Sequence, residues 1–415
     1  MTTDRASLNQ AFRSPWILGL LALAILLRLF ALILAWGTEP IGDPLNYLRL
    51  AHNLLAGDGL SLPRTAIGPE LVSTALFPPG LPLVLAAVGL VAPLNAATLF
   101  LLNSLIDCTA ALLLARLARV LGAPQIAVPA ALAYLLWPSI ALMSPLAYKE
   151  GLVIALLLGT TLCLFEQAAR PGIRWALGSG LCAGALLLTQ PALVTLLPIL
   201  FLATATAFPG WRRWLQVSLV AAGAALLVML PWWVRNALAF GQFIPLTTSG
   251  GLAFWEGAHP GGGVVWQLPP KAWNQLGELQ AARAATAEAW RIIVADPIGY
   301  IARCLAKFPS SFFYSNWAVD QLVNARGQRW PWLGQSLLLR FGPTMIELWA
   351  VAMAAIGIVR LRHRMTARLL AACVVQVMLF GIWFEFSERH RLFMTPFILL
   401  MACELLAGSS RKALR

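Results

Sequence analysis

The chain has 415 residues, 60% of them hydrophobic and 11% charged, with a mean hydropathy of +0.76. A soluble domain carries about 25% charged residues, so a water-soluble globular class is excluded. The formal charge of +13 would suit nucleic acid, but the basic residues sit at the chain ends or in short connections: Arg5 and Arg13, Arg116 and Arg119, Arg170 and Arg174, Arg212 and Arg213, 360–368 and 411–415. That is a positive-inside pattern facing an anionic leaflet, and no nucleic-acid partner is expected.

Apolar runs of about 18 to 23 residues recur along most of the chain, each long enough to cross a hydrocarbon core of about 30 Å. Only helices or closed barrels satisfy their backbone groups in lipid. The runs are rich in Leu and Ala and lack strict alternation, which predicts an all-α polytopic membrane protein. The first span runs over 15–36. Asp4 and Arg5 precede it without a cleavage pattern, so it reads as a retained anchor.

A polar segment, 37–76, follows as the first external loop. It holds Asp43 in Gly42-Asp43-Pro44-Leu45-Asn46-Tyr47. Asp with Pro after it is a favoured helix start, so Asp43 reads as an N-cap, though a carboxylate here could also work as a catalytic group. Tyr47, Leu48, Ala51, Leu54 and Leu55 then form one stripe, with Asn46, Arg49 and Asn53 opposite, as in a helix lying on a membrane surface.

Further apolar segments lie at 77–91, 96–115, 123–147, 151–165, 173–188, 192–208 and 215–234. Three crossings between Arg13 and Arg116 would put those two on opposite sides. The 77–91 segment is short and opens with Pro78, Pro79 and Pro82, so it is expected to be a shallow juxtamembrane element. Ten spans then remain, with both termini cytoplasmic. Lys149 and Glu150 fall between two runs on the external side. They are either a pair snorkelling to the interface or a functional carboxylate and cation at the hydrocarbon boundary.

The long external loop opens on Pro231-Trp232-Trp233-Val234-Arg235-Asn236 and continues through Gly250-Gly251 to Trp255, Glu256 and His259. Trp at a span end is ordinarily an interfacial anchor, but Trp255 with Glu256 and His259 could line a sugar site. The stretch 271–295 reads as a structural helix. Three spans follow at 336–359, 366–384 and 392–407. The last two are joined through Glu388-Arg389-His390-Arg391, an external turn with three basic groups against the positive-inside bias. It is either a turn salt-bridged by Glu385 and Glu388 or an anion site, since guanidinium grips phosphate bidentately. The polar groups thus gather on the non-cytoplasmic face. Three units are expected: 1–235, with its catalytic loop at 37–76; the loop 236–335; and the spans of 336–415. Five of the six cysteines lie inside apolar runs and only Cys304 lies in a loop, with no metal-ligand spacing. Neither disulfides nor a structural metal is expected.

In this order the pieces resemble the GT-C superfamily of membrane glycosyltransferases. The nearest likeness is to the bacterial family 39 type, related to protein O-mannosyltransferases and lipid A aminoarabinose transferases. The matching residues are Asp43 with Tyr47, Ala51, Leu54, Gly57 and Gly59; Phe77-Pro78-Pro79-Gly80-Leu81-Pro82; and Pro231 to Asn236 with Gly241. Then come Gly250-Gly251 with Trp255 and Gly257; Asp296-Pro297 to Lys307; and Glu388 to Arg391 with Pro396. The resemblance implies a GT-C-like helix bundle with juxtamembrane helices. It also implies inverting transfer of one sugar from a polyprenyl-phosphate donor to a hydroxyl acceptor in a lipid, glycan or protein. Asp43 stands at the catalytic carboxylate and Glu150 at the second external acidic position, and both are expected to be catalytic. Arg389 and Arg391, with His390 between them, occupy the Arg-aromatic-Arg signature.

The chemistry agrees: the acceptor hydroxyl needs a base, and the departing phosphate needs cations. No acidic cluster accompanies Asp43, so Arg389 and Arg391 with Lys149 are expected to take the phosphate without a metal or cofactor. Tyr47, Arg235, Trp255, Glu256, His259 and His390 complete the expected substrate contacts. The expected setting is the inner membrane, with the site toward the periplasm or exterior. A polytopic transporter or lipid-glycan flippase would also have many spans, but usually with internal repeats and broken helices near the midplane. A purely structural subunit would need no convergence of Asp and Arg.

Overall fold

The computed structural model describes residues 14–63, 70–261, 267–313 and 315–413; Asp4, Arg5, Arg13, Gly262, Gly263 and Arg415 lie outside them. Six helices among the described residues are long and apolar enough to cross a membrane: Pro15–Ala35, Ala96–Val120, Glu150–Ala169, Trp211–Phe240, Leu337–Arg360 and Glu388–Gly408. The chain is a multi-pass membrane protein.

Among the described residues the remaining apolar runs form shorter helices. The 123–147 run is broken where Trp137 turns extended (φ −62°, ψ 119°) and the helix restarts as Pro138–Leu142, proline being excluded from a helix interior next to its own preceding turn. The 192–208 run is a 3₁₀ turn followed by Leu196–Thr204. Gly80–Gly89 has ten residues, about 15 Å of helix and half a hydrocarbon core, in keeping with a shallow element.

Packing follows membrane rather than aqueous logic. On Pro15–Ala35 the small Ala24, Ala31 and Ala35 are buried, while Leu18, Leu23, Ile25, Leu26 and Ile33 are exposed. Small residues on the inward face let backbones approach closely. The limit is Gly180 and Gly184 on Ile173–Thr189: a Cβ on Gly180 would stand 2.2 Å from the Ala221 carbonyl of Trp211–Phe240. Inside the bundle, Arg28 and Asp107 form a buried 3.0 Å ion pair. It is completed by the Leu135 carbonyl at 2.5 Å and the Tyr134 hydroxyl at 3.4 Å, because intramembrane charges persist only when partnered.

Polar segments gather at one end of the bundle. Ser61–Pro63 pairs antiparallel with Leu71–Ser73, Leu62 opposite Val72. Arg235 donates to Leu60 O at 2.7 Å and Thr74 O at 2.9 Å, which fixes this hairpin on the Trp211–Phe240 helix. Helices Ser249–Ala258, Glu278–Ala295, Pro297–Phe313 and Trp317–Val323 build the rest. Pro297–Phe313 buries Tyr300, Cys304, Lys307 and Ser311 on one face and exposes Ile298, Ile301 and Leu305 on the other, as a helix lying along a membrane surface does.

Candidate active site

The first helix ends at Trp36, and the chain turns through Gly37 and Gly42, both at positive φ. The helix Asp43–Ala56 takes Gly42 as its N-cap and makes no side-chain capping bond. The N-cap reading of Asp43 is therefore corrected: with Gly42 in the capping place, Asp43 is the first helical residue. Its carboxylate is turned to another partner, ion-paired through Oδ2 with Arg389 Nη1. Tyr47 lies one turn on and on the same face. It is 1% exposed and meets Phe77 edge to face at 5.4 Å.

Lys149 and Glu150 arrive from the start of Glu150–Ala169. The Lys149 ammonium lies over the Tyr47 ring at 5.9 Å and forms no salt bridge among the described residues. Burial, only partly offset by Glu150, lowers its pKa. Glu150 is buried, and its Oε2 has no hydrogen-bond partner. Next to them the Tyr148 hydroxyl accepts from Trp317 Nε1 at 2.9 Å.

The third component is the 382–391 turn, which follows a π-helical stretch at Val377–Gly381, a distortion frequent at functional sites. Buried Lys307 clamps it, donating to Ile382 O and Phe384 O at 3.1 Å and to Gly257 O at 2.7 Å. The helix Ser249–Ala258 lies directly on the turn: a Cβ on Gly257 would stand 2.5 Å from the Phe384 backbone. Glu385 N also donates to Ala253 O at 2.8 Å. Much of the motif noted from sequence, Gly257 and Lys307 above all, thus serves to hold this turn.

Arg389 projects from it toward Asp43. Its guanidinium lies 4.9 Å over the Trp317 ring, Nη2 is 4.0 Å from Glu385 Oε1, and Nε is buried without a partner. Arg391 goes the other way. Residues two apart on a helical turn face opposite sides, and Arg391, 1% exposed, is pointed into the bundle. There it pairs with Glu347 (Nη2–Oε2 2.9 Å) and donates from Nε to Ser311 O at 2.8 Å and from Nη2 to Ser315 Oγ at 3.1 Å. The expectation that both arginines take one phosphate is corrected accordingly. Glu388 is likewise structural, accepting from Ser139 Oγ at 2.7 Å and Trp317 N at 2.8 Å.

Of the expected residues, Asp43, Tyr47, Lys149, Glu150, Arg389 and His390 come together. The His390 Nδ1 is 3.0 Å from Ser387 Oγ and closes its own turn. Arg235 stands at the hairpin instead. Trp255 is buried against Trp273 and His259 at 5.3 Å each, so its ring faces offer no open stacking platform. Glu256 is buried, accepts from Gln267 N at 3.0 Å, and adjoins Glu385. Trp317 is a part of the site that the sequence reading missed, and Glu385, read there only as a counter-charge of the turn, belongs to it as well.

Burial raises the Asp43 pKa, but the Arg389 charge and hydrogen bond outweigh it, so the carboxyl lies below its ordinary range and is ionised. Burial, with Glu385 adding to it, pushes Glu256 up to about 8. Among the described residues no group of three or more His, Cys, Asp and Glu could hold a metal ion.

No family model matches the sequence, and no curated protein matches it. Solved structures do. The archaeal oligosaccharyltransferase AglB from Archaeoglobus fulgidus, in complex with an inhibitory peptide and a dolichol-phosphate, superposes with a TM-score of 0.55 at 14% identity over 97% of this chain and 51% of that one. The Archaeoglobus fulgidus enzyme tethered to an acceptor peptide with the NVT sequon gives 0.58 at 16%, over 97% and 50%. The fold is GT-C. The chain spans about half the length of those oligosaccharyltransferases.

Proposed function

We propose that this protein is a membrane glycosyltransferase of the bacterial family 39 type. It moves a single sugar, with inversion, from a polyprenyl-phosphate donor to a hydroxyl acceptor in a lipid, glycan or protein. The carrying observation is the meeting of Asp43 with Lys149 and Arg389 beside Tyr47 at one end of the bundle. In this reading Asp43 accepts the acceptor's hydroxyl proton as the oxygen attacks the anomeric carbon. The anomeric carbon–oxygen bond breaks, and the polyprenyl phosphate leaves with the electron pair, its charge held by Lys149 and Arg389.

Two features favour these cations over Arg391. Among the described residues Lys149 forms no salt bridge and Arg389 has an unpartnered Nε, whereas Arg391 is fully engaged. Glu150 stands behind Lys149 and steadies the ammonium. A donor that is itself a lipid accounts for a site at the end of a bundle. The dolichol-phosphate in the AglB complex supports a lipid phosphate in this fold. The site is placed on the periplasmic or exterior face of the inner membrane from the charge bias of the connections.

The test is incubation of purified protein with a panel of polyprenyl-phosphate sugars and hydroxyl acceptors. Cleaved donor with sugar on the acceptor, absent in Asp43→Asn, is the expected result. Lipid movement across vesicles without cleavage would assign the protein to transport instead.

A further inference from the structure

Arg389 is only half used. Nη1 is held by Asp43, while the opposite edge, formed by Nε and Nη2, has no hydrogen bond among the described residues: Nε is buried without a partner, and Nη2 is 4.0 Å from Glu385 Oε1. That edge is the side-on fork that takes two oxygens of a phosphate. Glu385 therefore stands, one step too far for a hydrogen bond, where an anion on this fork would sit. Its backbone is fixed, since its N–H donates to Ala253 O at 2.8 Å, but its side chain is 20% exposed. Glu256 lies on the helix Ser249–Ala258, whose backbone packs directly on Phe384 and Glu385.

Resting on the functional reading above, we propose that Glu385 is an anionic placeholder for the donor phosphate, which displaces it from the Arg389 fork toward Glu256. Arg389 then bridges the reaction, with Asp43 on one edge and the leaving phosphate on the other. Two carboxylates brought close cannot both ionise cheaply, so Glu256 must hold a proton when Glu385 reaches it, one that has to be taken from solvent only where Glu256 is otherwise ionised. Glu256 is suited to carry it, since burial and Glu385 push it up to about 8. The other charged groups facing this pair are Arg389, His390, Lys149 and Lys307. Arg389, Lys149 and Lys307 are cations, and His390 is neutral or cationic, so none of them adds negative charge beside the pair. The device makes the fork selective, because a neutral ligand cannot supply what Glu385 gives up.

The probe is a short-chain polyprenyl methyl phosphodiester, whose single charge is constant across the pH range used, with binding measured on the full-length protein in nanodiscs. Wild-type affinity is expected to be flat below pH about 8 and to weaken above it, by up to about tenfold per pH unit, the limit for uptake of one proton. Glu385→Gln should bind roughly three- to tenfold more tightly, the scale of a partly exposed charge competing for one cation, and lose the slope. Glu256→Gln should lose the slope as well. Unchanged affinity and slope in Glu385→Gln, with binding weakened by Arg389→Gln, would overturn the placeholder and leave the functional reading intact. Unchanged binding in both Arg389→Gln and Lys149→Ala would instead remove the phosphate site itself.

Discussion

Arg391 offers the sharpest separation of structure from function, because sequence alone gives it the same role as Arg389. It is 1% exposed and so is its partner Glu347, with further bonds to Ser311 O and Ser315 Oγ. Two unit charges about 3 Å apart attract by about 5 kcal/mol at an effective dielectric of about 20, most of which offsets desolvation. Deleting one partner leaves that desolvation uncompensated, so Arg391→Ala should cost about 3–5 kcal/mol of stability. Replacing both, as Arg391→Met with Glu347→Leu, should recover most of it, since apolar pairs of similar volume are often as stable. Thermal unfolding in a fixed detergent reads the difference, and phosphodiester binding by the folded fraction should match wild type. An Arg391→Ala protein of wild-type stability that binds the phosphodiester more weakly would refute the assignment and return Arg391 to the substrate.

Other consequences are open to measurement. Lys149→Ala should weaken phosphodiester binding by about 1.5–3 kcal/mol, the worth of a charge-assisted hydrogen bond, while unfolding stays near wild type. Lys307→Met removes the donor to three carbonyls that hold the 382–391 turn, so turnover should fall and hydrogen exchange across that turn should rise; unchanged exchange would discount the clamp. Asp43 has a depressed pKa in the fold, so the contribution of its ion pair to stability is present above the ordinary value of 3.8 and lost as pH falls through the lower folded value. By the same sign the acid limb of turnover lies below the ordinary carboxylate range, and Arg389→Gln should move it upward in a pH–rate profile. A reporter placed after Pro260 should be external; a cytoplasmic reading would reverse the orientation.

The membrane class was legible because lipid imposes long apolar runs on any helix that crosses it. The break inside 123–147 was not, since Pro138 interrupts a run that hydropathy alone leaves continuous. Asp43, Lys149 and Arg389 could be picked out because each is a charge at the edge of an apolar run, where it needs a reason. Arg391 looked equivalent to Arg389 in a linear string, and only the helical turn at Glu388–Arg391 separates their directions. The Arg28–Asp107 pair escaped notice for a related reason: each is a lone charge within its own run, and nothing in the sequence says that two spans bring them together. Lys307 acts through backbone geometry, gathering carbonyls where Gly257 meets Phe384, which residue types do not announce.

The most direct measurement is turnover by Asp43→Asn alongside its binding of the phosphodiester. Asparagine keeps an oxygen for Arg389 Nη1 but accepts no proton at neutral pH, and no capping bond is lost because Asp43 makes none. Glycosyl transfer should fall by roughly 10² to 10⁴, the usual worth of general base catalysis, with phosphodiester affinity within a few fold of wild type. An Asn variant that binds the phosphodiester and transfers sugar at near the wild-type rate would contradict the account.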